Sequence, residues 1–454
     1  MYHTLSKVGI AALVGLAALS AQAGVSAEEA AKLKSELTPF GAERAGNKDD
    51  SIPAWTGGVA QSTAPAKGLR PDPFASEKPL FTITSKNMAQ YADKLSEGSK
   101  AMLTKYPETF RMDVYPTHRT SSAPQWVYEN TLRNATQATL VDGPAGPRPQ
   151  GAFGGIPFPI PKSGLEVMWN HILRWRGESV RYEWKGYTLT TDGRWIMAVE
   201  AINEQTEPYY YKEDSAATHN GAYWLVRSVN SGPPIRAGEG ILAREDIDQS
   251  KSQAWVYLTG QRRVRKLPNA CCDTPTPFSA GVMTFDEVEV HTGRMDRFEW
   301  KLLGKRELLI PYNNNKAQSA KGGDAEVLGS ARHLNPDVVR WELHRVWVVE
   351  STLKPGQRHT SPKSRYYVDE DNWFAALSDR WDANNQLART GFGFTEVVPE
   401  LPGAIGWTMG IYDLVSGAAY IAGFTADQKL SYRPVARQKD VVFSPDSLAA
   451  EGIR

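Results

Sequence analysis

The sequence predicts an α+β protein that consists mainly of antiparallel β-sheet. First, short alternating apolar and polar segments follow Gly177, with Gly, Asp or Asn turns between them. Second, no long helical segment separates these strands, which argues against a parallel α/β sheet. Third, Val339 to Arg389 reads as a meander of consecutive hairpins. A meander of this length builds a broad curved sheet, and we expect a few helices and a long irregular N-terminal region to cover it.

The N-terminus has the pattern of an export signal. Met1 to Lys7 carries one lysine, Val8 to Leu19 is apolar or small, and Ala21-Gln22-Ala23 has the small-x-small form of a cleavage site. The apolar run is shorter than the about 20 residues that span a bilayer. We predict that residues 1–23 are removed and that the mature chain starts at Gly24 in the periplasm. An uncleaved anchor is the alternative, and the absence of a cysteine at Gly24 argues against lipidation.

Three helices are expected in the first part of the chain. Ser26 to Glu29 forms a capping box, so a helix should run from there to about Leu37. A second helix should start near Ser85 and end before Pro107, because its apolar residues recur at helical spacing. A third should run from about Leu165 to Arg176, with Gly177 at its C-terminal cap.

Two stretches lack such periodicity. Residues 142–164 hold six prolines and six glycines, which favours a fixed irregular loop. Residues 311–336 form a long polar insert, which we interpret as a mobile loop. We therefore divide the chain into a signal peptide at 1–23, a helical and irregular region at 24–164 that packs on the sheet, and a β domain at 165–454.

Ten strand segments are predicted after the third helix. In chain order they are Val180–Trp184, Trp195–Val199, Tyr223–Val229, Ile235–Ala243, Ala254–Leu258, Arg263–Leu267, Met295–Leu303, Arg340–Leu353, Ser364–Asp369 and Trp373–Trp381. The chain has 14 tryptophans and 18 tyrosines, and many lie in these strands. Most should form the core, while some should line a groove for an apolar or amphipathic ligand. The candidate ligand contacts are Trp184, Trp195, Trp255 and Tyr257.

The chain as a whole is close to neutral, and only one short stretch is strongly basic. The formal net charge is +1 at pH 7, which gives no electrostatic reason to bind nucleic acid. A basic strand at 261–266 places Arg263 and Arg265 on one face, and both are candidate ligand contacts. Arginine suits two-point contact with a carboxylate or a phosphate. We favour an internal carboxylate partner for this pair. An anionic head group, a partner protein or a plain solvated face are the alternatives.

Catalytic and metal-binding signatures are missing from the sequence. It has no G-x-S-x-G elbow, no H-E-x-x-H motif and no phosphate-binding glycine loop. Cys271 and Cys272 are adjacent, so they can form either a strained vicinal disulfide or two buried thiols. Two cysteines without nearby histidines do not make a zinc site. We predict no enzyme, no catalytic residues, no metal and no cofactor.

Several longer motifs are similar to a known family. They are Tyr115–Arg119, Gly154–Pro161, Gly164–His171, Arg174–Gly177, Trp255–Arg265, Phe298–Gly304 and Pro311–Asn313. Over nearly the whole mature chain they resemble the proteobacterial domain-of-unknown-function family 1329. The second half also resembles the outer-membrane lipoprotein-sorting carriers of the Lol type. The resemblance implies an open half-barrel closed by helices, with a cavity for acyl chains. It also implies work beside an exporter of the resistance–nodulation–division type or an outer-membrane component, and it implies no catalytic residue.

These observations predict a soluble periplasmic protein that binds or shuttles a hydrophobic or lipid-like molecule. One alternative is a ligand-free structural adaptor of an envelope transport complex, and another is a hydrolase whose site has no known signature. The three differ in what the sheet should enclose. A carrier needs a continuous apolar cavity, an adaptor a filled interior with an exposed patch, and an enzyme a cleft with converging polar groups.

Overall fold

The computed structural model describes residues 24–63, 69–268, 271–424 and 432–452, so the predicted signal peptide lies outside the described residues. Within these ranges the α-helices are α1 (Ala27–Ala31), α2 (Glu97–Lys105), α3 (Gln125–Gln137), α4 (Gly164–Ile172), α5 (Asn315–Gln318), α6 (Gly323–Leu328) and α7 (Pro445–Gly452). None of the helices in the described ranges is long and apolar enough to cross a membrane.

The strands of the N-terminal half are β1 (Phe81–Ile83), β2 (Met112–Val114), β3 (Thr139–Val141), β4 (Arg148–Gln150), β5 (Ser179–Leu189), β6 (Trp195–Thr206), β7 (Ala222–Gly232), β8 (Gly240–Asp246), β9 (Gln253–Leu258) and β10 (Arg263–Leu267). Those of the C-terminal half are β11 (Phe298–Pro311), β12 (Trp341–Leu353), β13 (Lys363–Asp369), β14 (Ala375–Trp381), β15 (Leu387–Val397), β16 (Ala404–Asp413), β17 (Ala419–Phe424) and β18 (Arg433–Pro434).

Sixteen of these strands form one open sheet. Its order is β1-β2-β12-β13-β14-β15-β16-β17-β5-β6-β7-β8-β9-β10, with β11 paired to β12 and β18 paired to β5. All neighbours pair antiparallel except β2 and β12, which meet at Trp341 and Val114. The separate hairpin of β3 and β4 lies in the loop before α4. The predicted α+β class with a large, mainly antiparallel, half-barrel-like sheet is confirmed.

The alternation of side chains along each strand creates two apolar cores. Tyr366 packs into the first core, and its neighbour Tyr367 packs into the second. We call the side of the sheet that carries Tyr366 the cavity face, and the side that carries Tyr367 the opposite face. Helices α3 and α4 cover the cavity face, whereas α2, α5 and α6 cover the opposite face. A smaller cluster forms where Leu448 of α7 packs near the β10 end.

The helix predictions are correct in position but not in length. The capping box between Ser26 and Glu29 is present, yet α1 gives way to a 3-10 turn at Lys32–Lys34. The second predicted helix divides into a 3-10 segment at Met88–Lys94 and α2, because the side chain of Ser96 caps a new helix start. Helix α3 was not predicted, since few apolar residues mark its buried face.

The polar insert at 311–336 contains α5 and α6, so its interpretation as a mobile loop was wrong. Side-chain amides hold it in place. The Asn315 amide donates to the Val397 carbonyl and accepts from the Val397 N–H, which satisfies backbone groups of β15. Strands β1 and β2 of the N-terminal region join the sheet. The division at residue 164 stays a prediction, and α4 starts there.

A candidate ligand cavity

A cavity lies between the cavity face of the strands β16, β17 and β5 to β10 and the segment 271–297, which we call the cover segment. Its volume is about 310 Å³, at the lower end of the range for small-molecule sites. The segment precedes β11 and contains 3-10 turns at Pro277–Ser279 and Phe285–Glu287. The sheet therefore supplies one wall of the cavity and an irregular segment supplies the other.

Seven aromatic side chains line the cavity. They are Tyr182, Trp184, Trp224, Phe278, Phe285, Trp407 and Tyr420. Five of them stand on strands, and Phe278 and Phe285 belong to the cover segment. The rings of Trp184 and Phe278 meet edge to face with centroids 6.2 Å apart, and those of Tyr182 and Trp407 are 4.9 Å apart. Edge-to-face pairs fix ring orientation, so this wall is already formed without a ligand.

A chain of hydrogen bonds supports the aromatic wall. Trp184 Nε1 donates to Asn203 Oδ1 over 2.8 Å, and Asn203 Nδ2 donates to the Tyr182 hydroxyl over 2.7 Å. The Tyr182 hydroxyl in turn donates to Gln205 Oε1 over 3.3 Å. Since these polar atoms satisfy one another, the faces of the rings are left as apolar surface toward the cavity.

Several buried polar atoms in the cavity wall have no hydrogen-bond partner within the described ranges. Among them are Trp224 Nε1, Ser228 Oγ and the Tyr420 hydroxyl. A buried donor or acceptor without a partner costs about 1–3 kcal/mol. Water or a bound molecule in the cavity would supply the missing partner. These atoms place unpaired polar groups beside the aromatic rings of the cavity wall.

Glu245 is an acidic group in the same wall. It stands directly across from Trp224 in the pairing of β7 with β8. Burial raises the pKa of its carboxyl to about 7, the Ser252 side chain opposes that shift, and the charge of Asp246 adds to it. No ion pair joins Glu245 to any other described residue.

A second acidic group, Glu289 of the cover segment, is neutralised by arginines. Arg174 Nη2 lies 2.6 Å from Glu289 Oε2, and Arg176 contacts the same oxygen. Arg176 also pairs with Glu207, at 2.7 Å between Nε and Oε1. All four side chains are buried. The Arg174-Trp-Arg176 motif therefore joins the end of α4 to the cover segment.

The cover segment is anchored to the sheet at a second place. Asp286 Oδ2 lies 3.0 Å from His359 Nε2 and 3.5 Å from Arg380 Nη1. The neighbouring Glu287 lies 2.8 Å from Arg389 Nη1. Four non-glycine residues of the segment have positive φ, namely Cys272, Ala280, Glu289 and Val290. Such strain persists only where surrounding contacts hold the backbone, and it is common at ligand sites.

The adjacent cysteines lie at the start of the cover segment. Both are free thiols in the structure, and Cys271 lines the cavity. A hydrogen bond from Cys272 and the charge of Arg294 lower the pKa of Cys271 to about 7, against the effect of burial. Cys271 is thus the more acidic of the two thiols, and it lies at the cavity wall.

The predicted ligand contacts divide between the two faces of the sheet. Trp184 lines the cavity. Trp195 pairs with Leu189 and packs in the second core, where its Nε1 donates to the Ala331 carbonyl over 3.3 Å. Trp255 and Tyr257 pack with Leu448 in the cluster below α7. The ligand-binding role of these three residues stays a prediction, and none of them lines this cavity.

Trp195 is turned away by an irregularity in the pairing of β5 with β6 between Gly186 and Tyr187. One extra residue reverses the face of every side chain beyond it. Without this irregularity, regular alternation along β6 would place Trp195 on the same face as Val199, which belongs to the first core.

Arg263 and Arg265 are exposed on β10, at the end of the sheet. Neither forms an ion pair with a described residue, so the favoured internal carboxylate partner is not present. Leu267, on the same face of β10, lines the cavity. The two arginines thus continue the cavity face beyond the cavity, and exposed charges on an edge strand also discourage pairing with other chains.

His344, Asp369 and Asp371 form a buried cluster with metal-ligand spacing away from the cavity. Protein cations neutralise it. Arg119 Nη2 lies 2.7 Å from Asp371 Oδ1, and His344 sits between Asp369 and Glu342 at 3.3 and 3.2 Å. Burial opposes protonation of His344, but hydrogen bonds to the two carboxylates raise its pKa to about 9. The cluster is a network of internal ion pairs, and it places no group in the cavity.

Comparison with known proteins gives both sequence and structural relatives. The chain matches the family described as "Protein of unknown function (DUF1329)" over residues 82–449. It is 40% identical over 436 residues to an uncharacterised protein of Pseudomonas aeruginosa, and the alignment covers 94% of each chain.

Solved structures similar to this chain share little sequence. A DUF1329 family protein from Desulfovibrio piger has 13% identity and a TM-score of 0.42, with 63% of this chain and 97% of that chain covered. A LolA superfamily protein from Nitrosomonas europaea has 12% identity and a TM-score of 0.36, with 63% and 100% covered. The match over residues 82–449, together with the 40% identical relative, shows that the chain belongs to the DUF1329 family.

Proposed function

We propose that this protein binds and carries a small hydrophobic or amphipathic molecule in the cavity beneath the cover segment. The observation that carries the proposal is the preformed aromatic cavity of about 310 Å³, whose wall holds buried polar atoms without protein partners. A filled interior would be expected of a ligand-free adaptor. A space of this kind, walled by Trp184 and Trp224, suits a ligand with an apolar body and a polar group.

The binding would be passive and driven by the loss of apolar surface from water. Each buried CH₂ group contributes about 0.8 kcal/mol. Polar groups of the ligand could pair with Trp224 Nε1, Ser228 Oγ or the Tyr420 hydroxyl, which removes the cost of leaving those atoms unbonded. The cover segment, held by Asp286 and Glu289, would close over the bound molecule.

The location and the partner belong to the same proposal. The support for export is the signal-like pattern at residues 1–23. The support for work beside an envelope exporter or an outer-membrane component is the resemblance to carrier families. Exposed Arg263 and Arg265 at the edge of the sheet would be available for docking.

The test is to fill the cavity. Ala243 of β8 lines it, so Ala243→Phe should remove much of its volume. Protein isolated from the periplasm would be examined by native mass spectrometry for copurified small molecules, and stripped protein would be titrated with a neutral fluorescent apolar probe. We expect Ala243→Phe to lose the copurified molecule and the probe. Ala383→Phe, in an exposed turn, should keep both. Equal binding by the two variants, or no binding by the unchanged protein, would reject the proposal.

A further inference from the structure

One carboxyl group in the cavity wall, that of Glu245, has no cation paired with it among the described residues. Glu289 is paired with Arg174 and Arg176. Arg294, the other charged group of the cover segment in the wall, has its Nε 3.0 Å from Asp296 Oδ1. Glu245 remains, and no described cation lies within ion-pair distance of it.

Glu245 is also close to an aromatic surface that attracts cations. It stands directly across from Trp224, and side chains at such positions have Cβ atoms about 4.5–5.5 Å apart. The face of an indole ring is electronegative, and a desolvated cation over it gains about 2 kcal/mol or more. Arg176 already uses Trp224 in this way, with Cζ 4.8 Å from the ring centroid. The wall continues into Tyr182 and Trp184.

This combination discriminates between head groups. A carboxylate or phosphate would be repelled by an ionised Glu245 in a space of low polarity, and Arg294, the one Lys or Arg among the described wall residues, is already paired with Asp296. A positively charged head would pair with Glu245 while its apolar body lay against the aromatic rings. From this geometry we infer that the cavity selects cationic amphiphiles, that is, molecules with an amine or quaternary ammonium head on an apolar chain or ring system. The inference rests on the proposed function and adds the charge of the ligand.

The experiment compares three amphiphiles with the same twelve-carbon chain and different heads. Dodecyltrimethylammonium, dodecanol and laurate would each displace the neutral fluorescent probe from the full-length mature protein, below the concentrations at which they form micelles. We expect the cation to bind at least about tenfold more tightly than either of the others. Glu245→Gln should reduce the affinity for the cation by about tenfold and leave dodecanol unchanged. Glu299→Gln, on the exposed side of β11, is the matched control.

A pH series with the quaternary ammonium separates Glu245 from other groups, because that head does not titrate. The groups that face or flank Glu245 are Asp246 and Tyr223, with Arg176 over the Trp224 ring and Glu289, Arg294 and Cys271 in the cavity wall. Affinity should rise between pH 6 and pH 8 in the unchanged protein and in Cys271→Ser, and it should be flat in Glu245→Gln.

The outcomes are distinct. If dodecanol displaces the probe and the cation binds no better, the inference of charge selection fails while the proposed binding function stands. If the preference for the cation survives in Glu245→Gln, the assignment to Glu245 is overturned. If the probe and all three amphiphiles fail to bind, the proposed function itself fails.

Discussion

The Asp286 carboxylate lies 3.0 Å from Nε2 of His359, and both side chains are buried. The contact joins the cover segment to the loop before β13, 73 residues further along the chain. Arg380 of β14 approaches the same carboxylate. Asp286 therefore helps to hold the irregular wall of the cavity against the sheet, although it does not line the cavity itself.

Asp286→Asn should lower the free energy of unfolding by about 3 kcal/mol, because it leaves the buried Arg380 with Glu287, at 3.7 Å, as its remaining counter-charge. Chemical denaturation would measure the loss, and Asp142→Asn, at an exposed position, is the control. Burial opposes ionisation of Asp286, but Arg380 and His359 hold its pKa well below the ordinary value of 3.8. The contribution is therefore present above pH 3.8 and is lost as the pH falls below it. Unchanged acid stability in the variant would contradict this role.

Glu289→Gln should destabilise the fold by about 3–5 kcal/mol, since it leaves Arg174 and Arg176 with one carboxylate, Glu207, between them. Exposure of the cavity should accompany the loss. An increase in the fluorescence of an added apolar dye would report it under conditions in which circular dichroism still shows the native sheet. Glu299→Gln should show neither effect, and equal behaviour of the two variants would disprove the arginine clamp.

Stability should fall with rising pH because of Glu245. Its folded pKa of about 7 lies above the ordinary value of 4.5, so the folded state resists ionisation that the unfolded chain undergoes freely. The penalty is absent below pH 4.5, grows between pH 4.5 and pH 7, and amounts to about 1–3 kcal/mol after allowance for partial exposure to the cavity. Glu245→Gln should therefore match the unchanged protein at pH 4.5 and exceed its stability at pH 8. A variant that is less stable at pH 8 would show that the carboxylate has a cationic partner.

Ligand binding should be visible in the emission of Trp184. Its ring lines the cavity and would exchange water for ligand, whereas Trp255 packs below α7 on the opposite face. Trp184→Phe should reduce the change in tryptophan emission that an amphiphile produces, although Trp224 and Trp407 also line the cavity, and Trp255→Phe should preserve it. Both variants must first show cooperative unfolding, because loss of a buried aromatic group costs stability. The reverse pattern would place the ligand below α7.

Charge reversal of Arg263 and Arg265 should change the free energy of unfolding by no more than about 0.5 kcal/mol, because both are exposed and unpaired within the described ranges. Thermal unfolding would measure it, with Arg380→Met as the buried comparison that should lose several kcal/mol. Retained stability with loss of an envelope phenotype would support docking through β10. A large loss of stability would show an internal partner for the pair.

The sequence by itself determined the class of the fold, because strand formation leaves a local signal. Alternation in Arg263–Leu267 marks β10 to the residue, and the Ser26 capping box marks the start of α1. Local sequence patterns do not predict elements whose stability depends on residues that are distant in the chain. Helix α3 shows little apolar periodicity and is held by bonds such as that of Asn134 to the 153–156 loop. The backbone of Val397, at the end of β15, similarly holds Asn315 of the insert that contains α5.

Only the tertiary structure decided which residues meet at the cavity. An irregularity near Gly186 turns Trp195 to the opposite face. Trp184 and Trp195 are both tryptophans on neighbouring strands, yet only Trp184 lines the cavity. Arg176 and Glu289 are 113 residues apart, and no spacing rule joins them. The raised pKa of Glu245 likewise comes from burial beneath a cover segment that follows it in the chain. Charge pairing and cavity formation are interactions through space, so they appear only when the sheet and its cover have come together.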